Sequence, residues 1–175
     1  NYAEMHGIKH FMISFTDLLG IQRAKLVPAQ MIGEIARKGA AFAGFATWLD
    51  MTAAHPDLIA APDTAGLMRL PWQPELAWLP ADCHVEGREV AHLPRNILRR
   101  LCREAADMGF EVRTGVEPEF FLLSPDGREL SDAFDSSEKP CYDQQALMRR
   151  YEVVGEVIDH MQELGWEPYQ CDHED

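Results

Sequence analysis

The sequence holds 175 residues, room for one ordinary domain or for a small domain and part of another. Hydrophobic residues make up 46%, which supports a real core and excludes global disorder. A formal net charge of −13 argues against nucleic acid or an anionic membrane surface as a partner and suits a protein that binds cations.

In chain order, His10 to Thr16 alternates with Phe11, Ile13 and Phe15 on one face and predicts a half-buried strand. Asp17-Leu-Leu-Gly20 reads as a turn, and Ile21 to Val27 as a returning strand. Pro28 then opens a helix with Met31, Ile32 and Ile35 at helical spacing, and Gly39 stops it. Residues 40 to 93 are rich in Pro, Ala and Trp with weak periodicity. His55-Pro56-Asp57 and Ala61-Pro62-Asp63 read as turns in a long loop, and Leu67 to Leu70 and Glu75 to Val85 as further strands with a hairpin at Glu86-Gly87. The aromatic residues between 42 and 78 read as packing or as a subunit interface.

Pro94 opens a clear helix with Ile97, Leu98, Leu101, Ala105 and Met108 in one stripe, closed by Gly109. Ser124 to Cys141 is a polar excursion. Asp143 caps a second long helix that carries Leu147, Tyr151, Val154, Ile158 and Met161 and ends at Gly165, with Arg149 and Arg150 on its solvated side. Trp166 to Glu174 begins another strand. These patterns predict an α+β chain, divided best near residues 90 to 94.

Between the two helices lies Gly115-Val116-Glu117-Pro118-Glu119-Phe120-Phe121-Leu122. On a strand, residues two apart share a face, so Glu117 and Glu119 would project into one space. Buried beside Val116 and Phe120, two carboxylates need a positive neighbour, and a metal pair or a cationic ligand is the obvious candidate. Spacing alone slightly favours an edge strand whose polar face meets water. Two glutamates aimed the same way suit cations better than glycoside hydrolysis, whose carboxylates flank a bond.

Cys83, Cys102, Cys141 and Cys171 are scattered, with neither a zinc-site spacing nor a secreted disulfide pattern, so reduced thiols and a cytoplasmic location are expected. No signal-peptide pattern opens the chain, and no apolar run reaches the ~20 residues that span a bilayer. The chain starts without Met and stops at Asp175 within a patterned segment, which reads as a fragment of something longer.

The Gly115–Leu122 element resembles the signature strand of the glutamine synthetase family of ATP-dependent glutamate–amine ligases. Asp17-Leu-Leu-Gly20, Lys25-Leu-Val-Pro28, Ala61-Pro62-Asp63, Leu70-Pro71-Trp72, Ala81-Asp82-Cys83, Pro94-Arg95 and His173-Glu174 follow in that family's order. The resemblance implies a β-grasp-like N-terminal domain over 1–93 and the first, truncated portion of a catalytic α+β domain over 94–175. It implies Mg²⁺ or Mn²⁺ as cofactor, with Glu117 on the ion that holds the nucleotide phosphates and Glu119 and Glu174 on a second ion beside glutamate. His173 reads as a supporting or structural histidine. No catalytic base or nucleophile is assigned.

The implied substrates are ATP, glutamate and ammonia or a small primary amine, joined through a γ-glutamyl phosphate. The implied assembly is a homo-oligomer, a dodecamer in the family, whose sites are shared between neighbouring subunits. The chain by itself is expected to be inactive. One departure concerns the amine. Where ammonia-using members carry Phe-Asp-Gly-Ser-Ser, this chain has Phe42-Ala43-Gly44-Phe45-Ala46, so Ala43 replaces the carboxylate that attracts ammonium. Ala43 and Gly44, with Asp50 further along, form the expected amine-site loop, and its apolar character resembles the type III-like and glutamate–methylamine ligase branch. The alternatives are a γ-glutamylmethylamide synthetase or a non-catalytic relative serving as scaffold.

Overall fold

The computed structural model describes residues 2–174, which divide into two compact units meeting in sequence at Arg113 and Thr114. Helices and a sheet are both present, as an α+β chain requires.

In the first unit, a short helix α1 (Tyr2–His6) leads into β1 (His10–Thr16). Phe11, Ile13 and Phe15 point to one side of β1 and all three are buried, as the alternation predicts. The chain turns at Asp17–Gly20 and returns as β2 (Gln22–Pro28), antiparallel to β1. A 3-10 turn at Ala29–Met31 precedes helix α2 (Ile32–Lys38). Gly39 ends α2 at φ 79°, and a Cβ there would stand 2.4 Å from Ile59 Cγ2, so the stop has to be glycine.

The stretch read as a long loop is more ordered than its composition suggests. β3 (Ala40–Phe42) and β4 (Leu58–Pro62) pair antiparallel inside it. Ala61 and Pro62, expected in a turn, close a central strand; the turn comes just after, where Asp63 Oδ1 accepts from the Ala65 N–H at 3.0 Å. Alanine is a poor strand former, so β4 is held by burial of Leu58 and Ala60 rather than by propensity. β5 (Met68–Leu70), β6 (Gln73–Val85) and β7 (Arg88–Glu89) follow. The β6–β7 hairpin turns on Glu86 at φ 49° and Gly87 at φ 77°, the two left-handed residues of a type I′ turn.

The sheet runs β2-β1-β6-β4-β3, with β5 and β7 also on β6. β1 is parallel to β6, and the remaining pairs are antiparallel. The long β6 joins everything: β1 and β5 pair along its first part, β4 and β7 along its second. Ile13, Leu58, Ala60, Ala77, Leu79 and Cys83 form the centre of the core.

Helix α3 (Pro94–Asp107) begins at its proline and is followed by Gly109 at φ 84°. Its apolar stripe does not form the contact with the sheet, since Leu98, Leu101 and Met108 are more than half exposed. The polar side does. Arg95 Nε donates to Asp82 Oδ1 at 2.8 Å, Arg99 Nη1 to Asp82 Oδ2 at 2.8 Å, and Arg95 also reaches Asp63. Asn96 Nδ2 donates to the Val90 carbonyl at 2.8 Å. These ties carry α3 with the sheet, so packing divides the chain beyond residue 93.

The second unit contains a turn at 124–129 and two helices, α4 (Gln144–Arg149) and α5 (Tyr151–Glu163). Asp143 caps α4 as expected, accepting from Gln145 N at 2.7 Å. The single long helix expected here is interrupted at Arg150, which takes φ −118° and ψ 11°. Its guanidinium is drawn to Ser131, with Nε donating to Oγ at 3.0 Å. Arg149 is not solvated either: its Nε lies 2.6 Å from Oδ2 of buried Asp132. The strands expected around Glu117 and over Trp166–Glu174 do not form among the described residues. A strand takes its hydrogen bonds from a neighbour, and none pairs with 111–121. Among the described residues no helix is long and apolar enough to cross a membrane.

Candidate functional site

The residues singled out by sequence fall on both units, and each set has its own local geometry. In the first unit, β3 delivers the chain to Ala43, which precedes a 3-10 turn at Gly44–Ala46. Thr47 closes that turn, its Oγ1 donating to the Gly44 carbonyl at 2.8 Å. Gly44 is buried, and a Cβ there would meet Met51 Sδ at 2.2 Å. Ala43 and Asp50 are exposed, as are Phe45 and Trp48. The loop is tied to the Asp17 turn, where Leu18 N donates to the Trp48 carbonyl at 3.2 Å.

The Asp17 turn is rigid for a clear reason. Its carboxylate is fully buried and accepts from Leu19 N at 2.9 Å, Ile21 N at 3.0 Å and Arg23 Nε at 2.8 Å. Burial alone would raise its pKa, but Arg23 and the two backbone N–H groups outweigh that and hold it below the ordinary value. Lys25, given no role of its own in the sequence reading, reaches the Ala41 carbonyl with its ammonium 5.1 Å from the Phe42 ring centroid. A cation therefore stands beside the strand that feeds Ala43.

In the second unit, Glu117 and Glu119 are exposed, on a segment with no ladder hydrogen bonds. Glu174 is exposed as well, and its Oε2 accepts from Cys141 Sγ at 3.5 Å. Among the described residues no three His, Cys, Asp or Glu side chains come together to hold a metal ion. The carboxylates have the donor chemistry for a hard divalent cation, but this chain alone does not gather them into a cradle. In the first unit, burial, with help from Asp82, pushes the Cys83 thiol up to about 12.

A second polar construction in the second unit surrounds His173. Its Nδ1 lies 2.8 Å from the Pro140 carbonyl and its Nε2 2.8 Å from Asp135 Oδ2. Both partners are acceptors, an arrangement that favours the doubly protonated ring. The Pro140 bond and then the Asp135 carboxylate raise its pKa. The His173 carbonyl in turn accepts from Tyr142 N at 2.6 Å. Asp135 carries no sequence signal for this role, because its partner stands 38 residues away.

Comparison with known proteins bears on the family. Residues 91–175 match the family described as "Glutamine synthetase, catalytic domain". The chain is 59% identical over 174 residues to a glutamine synthetase of Rhizobium meliloti (strain 1021), covering 99% of this chain and 40% of that protein. It is 34% identical over 178 residues to a glutamate–methylamine ligase of Methyloversatilis universalis, again covering 99% and 40%. Among solved structures, one described as a GmaS/ADP complex superimposes with a TM-score of 0.96 at 53% identity, over 99% of this chain and 40% of that one. The chain thus spans about 40% of the length of the relatives it matches.

Proposed function

The chain belongs to the glutamine synthetase family, and from that premise we propose that it is the N-terminal part of a cytoplasmic, ATP-dependent glutamate–amine ligase. The reaction joins glutamate to ammonia or a small primary amine by way of a γ-glutamyl phosphate. The observation that carries this reading is the ordered set of family elements from Asp17 to Glu174 on a chain that superimposes on a GmaS structure over nearly its whole length. Residues 1–93 are read as a β-grasp-like domain and 94–175 as the opening of the catalytic domain. The family match beginning at residue 91 supports that division.

Glu117, Glu119 and Glu174 are assigned as oxygen donors to Mg²⁺ or Mn²⁺. When bound, such ions neutralise charge on the phosphate oxygens during phosphoryl transfer. The exposure of all three carboxylates supports a site completed by the part of the protein that this chain does not span. A homo-oligomer, with sites shared between subunits, belongs to the same proposal.

For the amine, the loop supports an alkylamine. Ala43 puts a methyl group where a carboxylate would attract ammonium and accept its proton, and exposed Phe45 and Trp48 add apolar surface. The resemblance to a glutamate–methylamine ligase agrees with this, while the 59% identity to a glutamine synthetase favours ammonia as the second reading. The test is ATP-dependent amide synthesis by the full-length protein with methylamine and ammonia in competition. The expected product is γ-glutamylmethylamide, with Ala43→Asp shifting kcat/KM toward ammonia. A wild-type preference for ammonia, unaltered by that substitution, would refute the alkylamine assignment.

A further inference from the structure

Resting on the amine-site loop as assigned above, we infer that Lys25 is a positioning residue for that loop, fixing where Ala43 stands and so how tightly the amine is held. β2 and β3 are the two end strands of the sheet, and no ladder joins them among the described residues. β3 is three residues long and pairs with β4 on one side, so its outer edge needs another hold. Lys25 on β2 supplies it. Its ammonium donates to the Ala41 carbonyl and stands 5.1 Å from the centroid of the Phe42 ring. Phe42 in turn meets Phe15 of β1 edge to face, with centroids 5.1 Å apart and planes at 88°. Both lysine contacts fall on the two residues that lead into Ala43.

The loop beyond is stiff within itself. Ala46 N donates to the Ala43 carbonyl at 2.9 Å, and Thr47 Oγ1 to the Gly44 carbonyl at 2.8 Å. Buried Gly44 lies directly against Met51. Such a turn moves as a piece, and its place is set at its two ends. Lys25 holds the entry. The exit is held by Leu18 N, which donates to the Trp48 carbonyl at 3.2 Å next to the carboxylate of Asp17 that Arg23 Nε binds at 2.8 Å. Arg23 and Lys25 stand two apart on β2 and share a face, so one strand braces both ends of residues 41–48. Arg23 is bound up with the fold of the Asp17 turn. Lys25 is exposed and outside the hydrophobic core, so its loss should displace the loop without unfolding the unit. A displaced loop should weaken amine binding and spare ATP and glutamate.

The experiment is steady-state amide synthesis by the full-length protein, with KM measured for ATP, glutamate, methylamine and ammonia and thermal unfolding recorded in parallel. Lys25→Met keeps the length of the side chain and removes both donor and charge, whereas Lys25→Arg keeps both. Lys25→Met should raise the KM of the preferred amine about tenfold, the scale of one hydrogen bond from a charged group, and leave kcat and the other KM values within about twofold. Lys25→Arg should recover most of that loss. Should Lys25→Met not fold, Lys25→Gln carries the comparison. The readout follows whichever amine the wild type prefers, so it does not depend on the choice between methylamine and ammonia.

An unchanged amine KM in Lys25→Met would overturn the positioning role. So would KM values for all substrates rising together with a lowered Tm, or a Lys25→Arg protein no better than Lys25→Met. Ala43→Asp tests the loop itself. If Ala43→Asp alters the KM or the preference for amines and Lys25→Met does not, the loop assignment stands and this inference alone falls. If Ala43→Asp alters neither, the loop assignment falls and takes the inference with it.

Discussion

Asp17 is fully buried, yet it is held ionised by Arg23 and by two backbone N–H groups in the turn that it anchors. Its carboxyl lies below the ordinary value of 3.8 in the folded chain and returns there on unfolding. A depressed carboxylate pKa stabilises the fold fully above the unfolded value, and that contribution is lost as pH falls through the folded one. Urea unfolding at pH 6 and pH 3 should therefore show a smaller loss of stability in Asp17→Asn than in the wild type. Equal losses would remove Asp17 from the acid response. Gly39 makes a second demand on a single residue, combining φ 79° with a Cβ position 2.4 Å from Ile59 Cγ2 and 3.1 Å from the Ala60 carbonyl. Gly39→Ala should cost about 2 kcal/mol through strain and overpacking, read as a lower urea midpoint at unchanged slope.

Elements with a clear period or a clear punctuation mark were legible in sequence. β1 came from strict alternation, α3 from its proline and glycine limits, and the β6–β7 hairpin from Glu86-Gly87. β3 and β4 were not, because alanine-rich strands owe their place to burial in a sheet whose partners lie far along the chain. The break at Arg150 was hidden for a similar reason, since it depends on Ser131, 19 residues away. Glu117, Glu119, Glu174 and Ala43 are proposals that the sequence raises, while the pairing of His173 with Asp135 and the reach of Lys25 to the Ala41 carbonyl are visible only in the structure. Side-chain partnerships at long range leave no spacing signal. The cap of α4 gives an element-scale test: Asp143→Ala removes the acceptor for Gln145 N and should cost about 1 kcal/mol in the second unit. Hydrogen exchange of the α4 amides would register it, and unchanged protection would contradict the cap. Arg149→Met should destabilise the same unit by stranding buried Asp132.

The molecule as a whole is unevenly built. The hydrophobic core lies in the first unit, whereas the second is tied by Asp132–Arg149, Ser131–Arg150 and Asp135–His173. An acidic surface of −13 net charge suits a protein that gathers cations, but the three assigned carboxylates are not brought together by this chain. The 175-residue chain should therefore form no γ-glutamyl amide from ATP, glutamate and an amine; detectable product would contradict the reading of an incomplete site. The central claim is that Glu119 serves a ligase in the full-length protein, and ATP-dependent γ-glutamyl amide synthesis by wild type and Glu119→Ala tests it most directly. The account predicts robust synthesis by the wild type and a loss of at least about a hundredfold in the variant, on the scale of removing one group that stabilises transition-state charge. Undiminished synthesis by Glu119→Ala, or none by the wild type, would contradict it.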